Sequence, residues 1–446
     1  MFGKELTRTH TPIESLDVFT LPVHGDKRGW FKENWQREKM LDFGPVQNNM
    51  SFNAKAGVTR GLHAEPWDKL VSVATGEVFG AWCDLREGSP TYGQTYTHTI
   101  DPSVAVFVPR GVANGFQAQV DGTVYSYLVN DHWYPDAKYY FVNLDMIDWP
   151  ISLDQAEISD KDRNHPQLAD ATPVPPTTTL VIGAGGQLGH ALRDLLGDSA
   201  EYWDRSTLDI GAIDYDTLKG MRNWHQVGTI INAAAYTKVD AAEDEGRADA
   251  WATNARGVAT LARLATEHHI RLVHVSSDYV FDGTQDIHDE EEAFTPLGVY
   301  GQTKAAGDIA AATCPNHLII RTSWVIGHGR NFVGIMRDLA ARGVNPRVVD
   351  DQIGRLTTAD EIARAIVHLN TLGATGTFNV SCAGDPVSWA DIAAEIFKKE
   401  GRDPQDITRV STEEFGAAAP RPQHSTLNLA KLQATGYEPS DWRVVI

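Results

Sequence analysis

Between Lys69 and Val108 the apolar positions come in short runs. Lys69–Val73, Val78–Trp82, Thr95–Ile100 and Val104–Val108 are rich in β-branched and aromatic residues and are separated by Gly, Pro and Asp. Strand-length runs divided by turn formers at that spacing predict an all-β front half, a sandwich or barrel. Arg86–Gly93 reads as a hairpin connection between two of these strands. Behind residue 178 the pattern changes. An apolar run, Leu180–Ile182, is followed by glycines and an amphipathic stretch from Leu188 to Leu196, and a second run, Thr229–Asn232, ends in small residues. Buried strands alternating with helices predict an α/β rear half on a parallel sheet.

A chain of 446 residues exceeds what one hydrophobic core usually organises, and 42% hydrophobic content is ample for two. The segment 171–178 is rich in Pro and Thr and lacks periodicity. It reads as a stiff extended linker between a front domain at 1–170 and a rear domain at 179–446.

A formal net charge of -20 argues against a nucleic-acid partner, so any phosphate must be met by local cations. The three cysteines, Cys83, Cys314 and Cys382, are widely scattered. They indicate neither a disulfide framework nor a metal knuckle, and a reducing cytoplasm fits them best. No apolar run is long enough to cross a bilayer or to form a secretory core, so a soluble protein with no membrane partner is expected.

Arg28, Glu33, Arg60, His63 and Lys69 fall in or beside strand-like segments, where charge is unusual unless it faces a cavity. A lone histidine is more often a satisfied core or surface residue; the neighbouring cations shift that balance. Six ordered motifs, Asp26–Phe31, Gln47–Ser51, Gly57–His63, Gly88–Gly93, Ile147–Pro150 and Ser159–Asp162, together resemble the dTDP-4-dehydro-6-deoxyglucose 3,5-epimerases across nearly the whole front domain. The resemblance implies a cupin-like jelly roll that works without metal, as a dimer exchanging strands. No His-x-His pair accompanies His63, which agrees on the metal.

A 4-keto sugar has acidified C–H bonds on both carbons beside the carbonyl, so epimerisation needs a base on one face and an acid on the other. By the resemblance His63 is the base, Asp162 orients it, Tyr127 is the acid and Lys69 stabilises the enolate oxygen. Arg28, Arg60 and Lys161 are assigned to the diphosphate, with Glu33, Gln47, Asn49 and Asn114 in the substrate site. Tyr125 and Tyr127 are expected on opposite faces of one strand, the motif choosing Tyr127. Two positions depart from the family: Asn114 stands where an imidazole is usual, and Trp133 where a tyrosine is. Completeness of epimerisation at both carbons is therefore an open question.

In the rear half, strand, glycine loop and helix in that order put backbone N–H groups at a pyrophosphate. Gly183, Gly186, Gln187, Leu188 and Gly189 form that loop, with the spacing of the extended short-chain type. About 20 residues on lie Asp204, which suits NADH, and Arg205, which suits NADPH, leaving both cofactors open. Ala233, Ala234 and Ala235 are small enough to lie under a cofactor. Tyr300 and Lys304 stand one helical turn apart, and the lysine is expected to lower the tyrosine pKa for proton donation to a carbonyl.

With Val273–Gly283, Arg321–Trp324, Asp351–Gly354 and Arg421–Ser425, these residues resemble the dTDP-4-dehydrorhamnose reductases over essentially the entire rear domain. The resemblance implies an NAD(P)-binding Rossmann fold. In it Ser277 polarises the ketone, Trp324 walls the sugar, and Arg421 and Ser425 meet the nucleotide diphosphate. Leu356 stands where proline is usual, and His424 where an amide is. Nucleotide-sugar dehydratases carry an Asp-Glu pair where this chain has Asp278 and Tyr279, which speaks against elimination. Magnesium accompanies some reductases at their dimer contacts, but no ligand set for it is assignable here.

The combined expectation is a multidomain chain, an N-terminal all-β jelly roll followed by a C-terminal α/β Rossmann domain. It would epimerise and then reduce one nucleotide sugar, as a homodimer or higher oligomer. Fusion would raise the local concentration of a labile keto intermediate. Two alternatives stay open: an active reductase behind a single-carbon epimerase or mere sugar-nucleotide holder, and a non-catalytic regulatory protein.

Overall fold

A computed structural model describes every residue except Met1 and Asp42. The chain divides into two compact units, Met1–Pro176 and Thr177–Ile446.

The first unit contains, in chain order, β1 (Thr7–His10), β2 (Asp17–Thr20), β3 (Val23–Asp26), β4 (Gly29–Lys32), β5 (Gln47–Asn53), β6 (Thr59–Ala64), β7 (Lys69–Thr75), β8 (Val78–Asp84), β9 (Thr95–Ile100), β10 (Val104–Val108), β11 (Val112–Ala118), β12 (Thr123–Val129) and β13 (Tyr140–Phe141). One sheet runs β1-β2-β10-β7-β12-β5 and the other β13-β6-β11-β8-β9, while β3 and β4 form a separate hairpin. Inward residues of both sheets meet in one core: Val71, Val73, Val104, Val106 and Tyr125 from the first, Val78, Trp82, Val112 and Phe116 from the second. This is a jelly-roll sandwich.

The inside–outside alternation of a half-covered strand shows in β9, whose burial flips residue by residue. It fails in β10 and β11, which are buried throughout. The reason is a second layer on each sheet: Ala105 and Phe107 lie under Trp35, Met40, Leu41 and Phe43, and Ala81, Cys83 and Ala113 lie under Val142, Leu144 and Ile147. The supposed linker takes part in this layer. Ala171 and Val174 are buried in the same cluster, and Val174 exchanges backbone bonds with Leu85 and Glu87. At its other end Thr178 already begins a strand. Apolar residues placed between prolines explain both, because extended chain without internal hydrogen bonds docks readily on a sheet end.

The second unit carries a six-stranded parallel sheet. Its first five strands are β14 (Thr178–Ile182), β15 (Ala200–Trp203), β16 (Val227–Asn232), β17 (Arg271–Ser277) and β18 (His317–Thr322), followed by Gly376–Asn379. The order is β15-β14-β16-β17-β18 and then Gly376–Asn379, so the winding reverses between β14 and β16. A crevice opens at the carboxyl ends of strands at such a switch point. Two apolar layers cover the sheet, one including Leu208, Trp224, Val258, Leu261 and Leu264, the other Leu188, Leu192, Ile362, Ile366 and Leu369. A third cluster, around Val333, Met336, Ile396 and Phe397, packs the C-terminal lobe.

Candidate active sites

In the first unit a cavity of about 200 Å³ is lined by Arg60, His63, Glu65, Lys69, Asn114, Tyr125 and Tyr127, among others. His63 and Asn114 come from the second sheet, where β6 and β11 place them opposite each other beside a register shift. Lys69, Tyr125 and Tyr127 come from the first. The close approach of β6 to β11 requires glycine: Gly61 has φ +125°, and a Cβ there would sit 2.5 Å from the Gly115 Cα.

That backbone turn aims the Gly61 N–H at Asp162, donating to Oδ2 over 3.2 Å, while Oδ1 is 3.0 Å from His63 Nε2. Asp162 is held on a short helical turn whose N-terminus Ser159 caps. Burial pushes its carboxyl up, but the His63 and Gly61 hydrogen bonds win and hold it below the usual carboxylate range. His63 stays accessible to the cavity. His165, which the sequence gave no reason to single out, is buried edge-on to His63 at 5.2 Å and stacked on Phe141 at 4.7 Å. His63, Asp162 and His165 bring metal-ligand atoms within 4.8 Å of one another.

The two tyrosines correct an expectation. Residues two apart on a strand share a face, and both rings line the cavity, 6.0 Å apart. Tyr125 is the deeper, stacked on Phe116 at 4.1 Å and donating to Asn114 Oδ1 over 3.3 Å. Tyr127 is more accessible; burial and the charge of Glu65 push its phenol up. Lys69 is buried, its Nζ 2.5 Å from Glu65 Oε1 and 5.5 Å from the Tyr127 ring. Glu65 is a second residue the sequence reading missed.

The remaining predicted residues are dispersed. Gln47 donates to Asn49 on β5 over 2.8 Å, and Lys161 lies over the Phe141 ring at 4.7 Å. Arg28 is exposed and paired with Asp26 at the tip of the β3–β4 hairpin, and Glu33 is paired with exposed Lys39. Neither of these two lines the His63 cavity within one chain.

In the second unit a cavity of about 910 Å³ opens over the sheet's switch point, lined by Gly183, Gly185, Gly186, Asp204, Arg205, Ala233, Ala234 and Ala235. Its walls fit a dinucleotide. Gly183 has φ +85°, and a Cβ there would lie 2.5 Å from the Ala234 nitrogen. The helix Gln187–Leu196 starts at Gly186 with no side chain capping it, leaving its first N–H groups to a ligand. Gln187, Leu188 and Gly189 offer those N–H groups by their backbone alone: Leu188 points into the core, Gly189 faces inward where a Cβ would meet the Ala184 Cα at 2.5 Å, and the Gln187 side chain packs toward Gly327. Asp204 Oδ1 accepts from Ser206 and Thr207, closing the turn after β15, while Arg205 is exposed and paired with Asp209.

A further residue missed from sequence is Asn254, in a π-helical turn, Ala252–Gly257. Its Oδ1 accepts from the Tyr236 N–H over 2.8 Å and its Nδ2 donates to Thr303 Oγ1 over 3.1 Å, joining the cavity wall to the Tyr300 helix.

Tyr300 and Lys304 share one face of the helix Val299–Ala311, which packs along β17. Lys304 is buried and donates to the Val275 carbonyl over 2.7 Å. Burial pushes its ammonium down to about 8, against the charge of Asp308. The same burial pushes the Tyr300 phenol up to about 12, and Asp278 adds to it; only the Ser277 hydroxyl pulls the other way. Desolvation therefore dominates the Tyr300 phenol, and the lowering expected from Lys304 is not among the effects that shift it. Ser277 ends β17, its Oγ 2.8 Å from Asp278 Oδ1.

Trp324, at φ +47°, is stacked on Trp389 with centroids 3.9 Å apart. Left-handed backbone at so bulky a residue is strained and is held there by the surrounding packing. Arg421 is held by Asp240 over 2.8 Å. Ser425 is buried beside the Asp278 carboxyl.

Residues 10–170 match the family model for dTDP-4-dehydrorhamnose 3,5-epimerase, and residues 177–446 the RmlD substrate binding domain. The front half is 52% identical over 192 residues to a Streptococcus pyogenes protein named RmlC homolog, covering 39% of this chain and 96% of that one. The rear half is 39% identical over 282 residues to the dTDP-4-dehydrorhamnose reductase of Aggregatibacter actinomycetemcomitans, covering 59% of this chain and 95% of that one. It also resembles the solved Bacillus anthracis dTDP-4-dehydrorhamnose reductase in complex with NADP, at TM-score 0.57 and 33% identity, covering 60% and 96% of the two chains.

Proposed function

Because this chain belongs to the dTDP-4-dehydrorhamnose 3,5-epimerase family through its front unit and to the RmlD family through its rear unit, we infer that it is a bifunctional enzyme. It epimerises dTDP-4-dehydro-6-deoxyglucose at carbons 3 and 5 and reduces the resulting 4-ketone with NAD(P)H, giving dTDP-L-rhamnose. The observation that carries the first step is the placement of His63 on one sheet and Tyr127 on the other, across one cavity.

His63 removes the proton beside the ketone, and Asp162 orients the ring and stabilises the imidazolium. Lys69 meets the charge that develops on the enolate oxygen. Tyr127, kept protonated by burial and by Glu65, returns a proton from the opposite face. In the rear unit bound NAD(P)H supplies a hydride. Tyr300 gives its phenolic proton to the ketone oxygen, the Lys304 ammonium stabilises the phenolate left behind, and Ser277 holds the oxygen. Ala233–Ala235 and the free helix N-terminus seat the cofactor, Trp324 walls the sugar, and Arg421 reaches the diphosphate.

A second copy of the chain completes the front site in this reading. Arg28 and Glu33 stand outside their own cavity. Phe31 on the same hairpin is 65% exposed, and Met50 and Phe52, on the edge strand β5, are 67% and 66% exposed. Apolar residues along an unpaired edge are an association surface. No helix among the described residues is long and apolar enough to cross a membrane. The three cysteines are free and buried, and we place the enzyme in the reducing cytoplasm.

The test is incubation with dTDP-4-dehydro-6-deoxyglucose and NADPH in deuterated water. dTDP-L-rhamnose labelled at both carbons 3 and 5 supports both sites. A singly labelled or unlabelled 6-deoxy sugar would limit the front unit, where Asn114 replaces an imidazole, and absence of NADPH oxidation would defeat the reductase reading.

A further inference from the structure

Ser277 has one proton to give, and the fold places it beside a carboxyl. Its Oγ lies 2.8 Å from Asp278 Oδ1 and at the same time accepts the Tyr279 N–H over 3.2 Å. A carboxylate cannot donate, so whenever Asp278 is ionised the serine spends its proton on Oδ1. Nothing is then left for a sugar ketone. Yet Asp278 is only 3% exposed. Among the described residues its second oxygen, Oδ2, is buried and meets no hydrogen bond of ordinary geometry, the Ser425 hydroxyl lying beside the carboxyl without closing one. An unpaired carboxylate oxygen in such a place disfavours the charged form.

We propose that Asp278 is a positioning residue that sets the direction of the Ser277 hydroxyl. Protonated, it donates to Oγ and frees the serine O–H for the ketone oxygen; ionised, it captures that O–H and silences the donor. The proton on Asp278 is not consumed: hydride goes to the carbonyl carbon, Tyr300 gives its proton to the oxygen, and Asp278 only chooses which groups in the chain of hydrogen bonds donate. The inference rests on the reductase reading above.

The surroundings move the carboxyl's titration from the acid range toward neutrality. Burial pushes the carboxyl up to about 6, and the Ser425 and Ser277 hydroxyls hold it down only in part. The titratable groups that face it are Tyr279 from its own turn, Tyr300 from the helix Val299–Ala311, and His288 from the loop beyond. Arg421 reaches this group only through Tyr279. Of these, His288 is already engaged by Glu292 and by the His424 carbonyl. Lys304, held near 8, sets a separate and higher limb.

The experiment measures single-turnover NADPH oxidation by the full chain, at saturating NADPH and pre-epimerised dTDP-4-dehydrorhamnose, from pH 5.5 to 9. Wild type is expected to lose rate as pH rises, with a first falling limb below that of Lys304. Asp278→Asn always donates to Oγ, so it should lose that first limb and run at least threefold faster than wild type at pH 7.5. Asp278→Ala offers neither donor nor acceptor, so it too should lose the first falling limb and, with the serine O–H left unheld, should run slower than Asp278→Asn. The inference is overturned if Asp278→Asn keeps the falling limb, or is slow at every pH while its NADPH affinity matches wild type and its melting temperature is no lower. A wild type that oxidises no NADPH at any pH would sink the reductase reading and this inference with it, an outcome distinct from an active wild type with an indifferent Asp278→Asn.

Discussion

In our reading His63 and Tyr300 carry the two reactions, and each can be replaced without disturbing the other's core. His63→Asn should lower solvent deuterium exchange into substrate at least a hundredfold, the usual size of a general-base contribution, and leave NADPH oxidation on pre-epimerised substrate within about twofold of wild type. Tyr300→Phe should do the reverse. Joint loss in either variant, measured by NMR exchange and by absorbance at the nicotinamide band, would refute independent sites. Asp278 also makes a prediction about stability. Its carboxyl is near 3.8 unfolded and about 6 folded, so the folded state binds more protons between those values. Stability from this group is therefore full below pH 4 and declines as pH rises toward 6. Asp278→Asn should be more stable than wild type at pH 7.5, by up to about 3 kcal/mol at ~1.4 kcal/mol per pH unit, and no more stable at pH 4. Thermal melts at the two pH values decide it.

Among elements, the β8–β9 connection shows how a turn read from composition hides an energetic role. Arg86–Gly93 does join the strands, but its Arg86, Ser89 and Thr91 side chains all converge on Asp84 at the end of β8. Burial would raise that carboxyl; the three partners together bring it down to about 2. A depressed carboxyl stabilises the fold above pH 4, and this contribution disappears as pH falls toward 2. Asp84→Asn should thus lose roughly 2 kcal/mol at neutral pH, with the deficit shrinking in acid, as urea titrations at pH 7 and pH 3 would register. The glycine loop after β14 is more constrained still. At Gly183, with φ +85° and no room for a Cβ, Gly183→Ala should weaken NADPH binding at least tenfold by calorimetry while leaving deuterium exchange in the front unit unchanged.

At the scale of the whole molecule, each unit has its own apolar cores and, in our reading, its own chemistry. Fragments 1–176 and 177–446 should each fold and keep their partial reaction. Cutting instead at residue 170 would strip Ala171 and Val174 from the front unit's outer layer and should leave that fragment less stable by circular dichroism. The full chain and fragment 1–176 should both have twice the monomer mass by light scattering, because Arg28, Glu33 and the exposed edge of β5 belong to the front unit. A monomeric front fragment with full exchange activity would defeat the completed-site reading.

The sequence by itself determined the elements and the chemical inventory. Glycine spacing after an apolar run, tyrosine and lysine one helical turn apart, and charged residues set among β-branched ones are local signals, since each depends on covalent geometry and a fixed backbone period. Where those side chains meet was decided by tertiary structure, because distance in space is not legible from distance along the chain. The strand period already puts Tyr125 on the face of Tyr127, but the sequence could not show that Tyr125 reaches Asn114, or that His165 and Glu65 stand beside the predicted residues. It could not show that Ser425 is buried beside Asp278, or that Ala171 and Val174 pack into the front unit. Burial is likewise a property of the fold. Desolvation, not the adjacent lysine, sets the Tyr300 phenol, and it makes of Asp278, an ordinary acid in the sequence, a group able to change its proton near neutral pH.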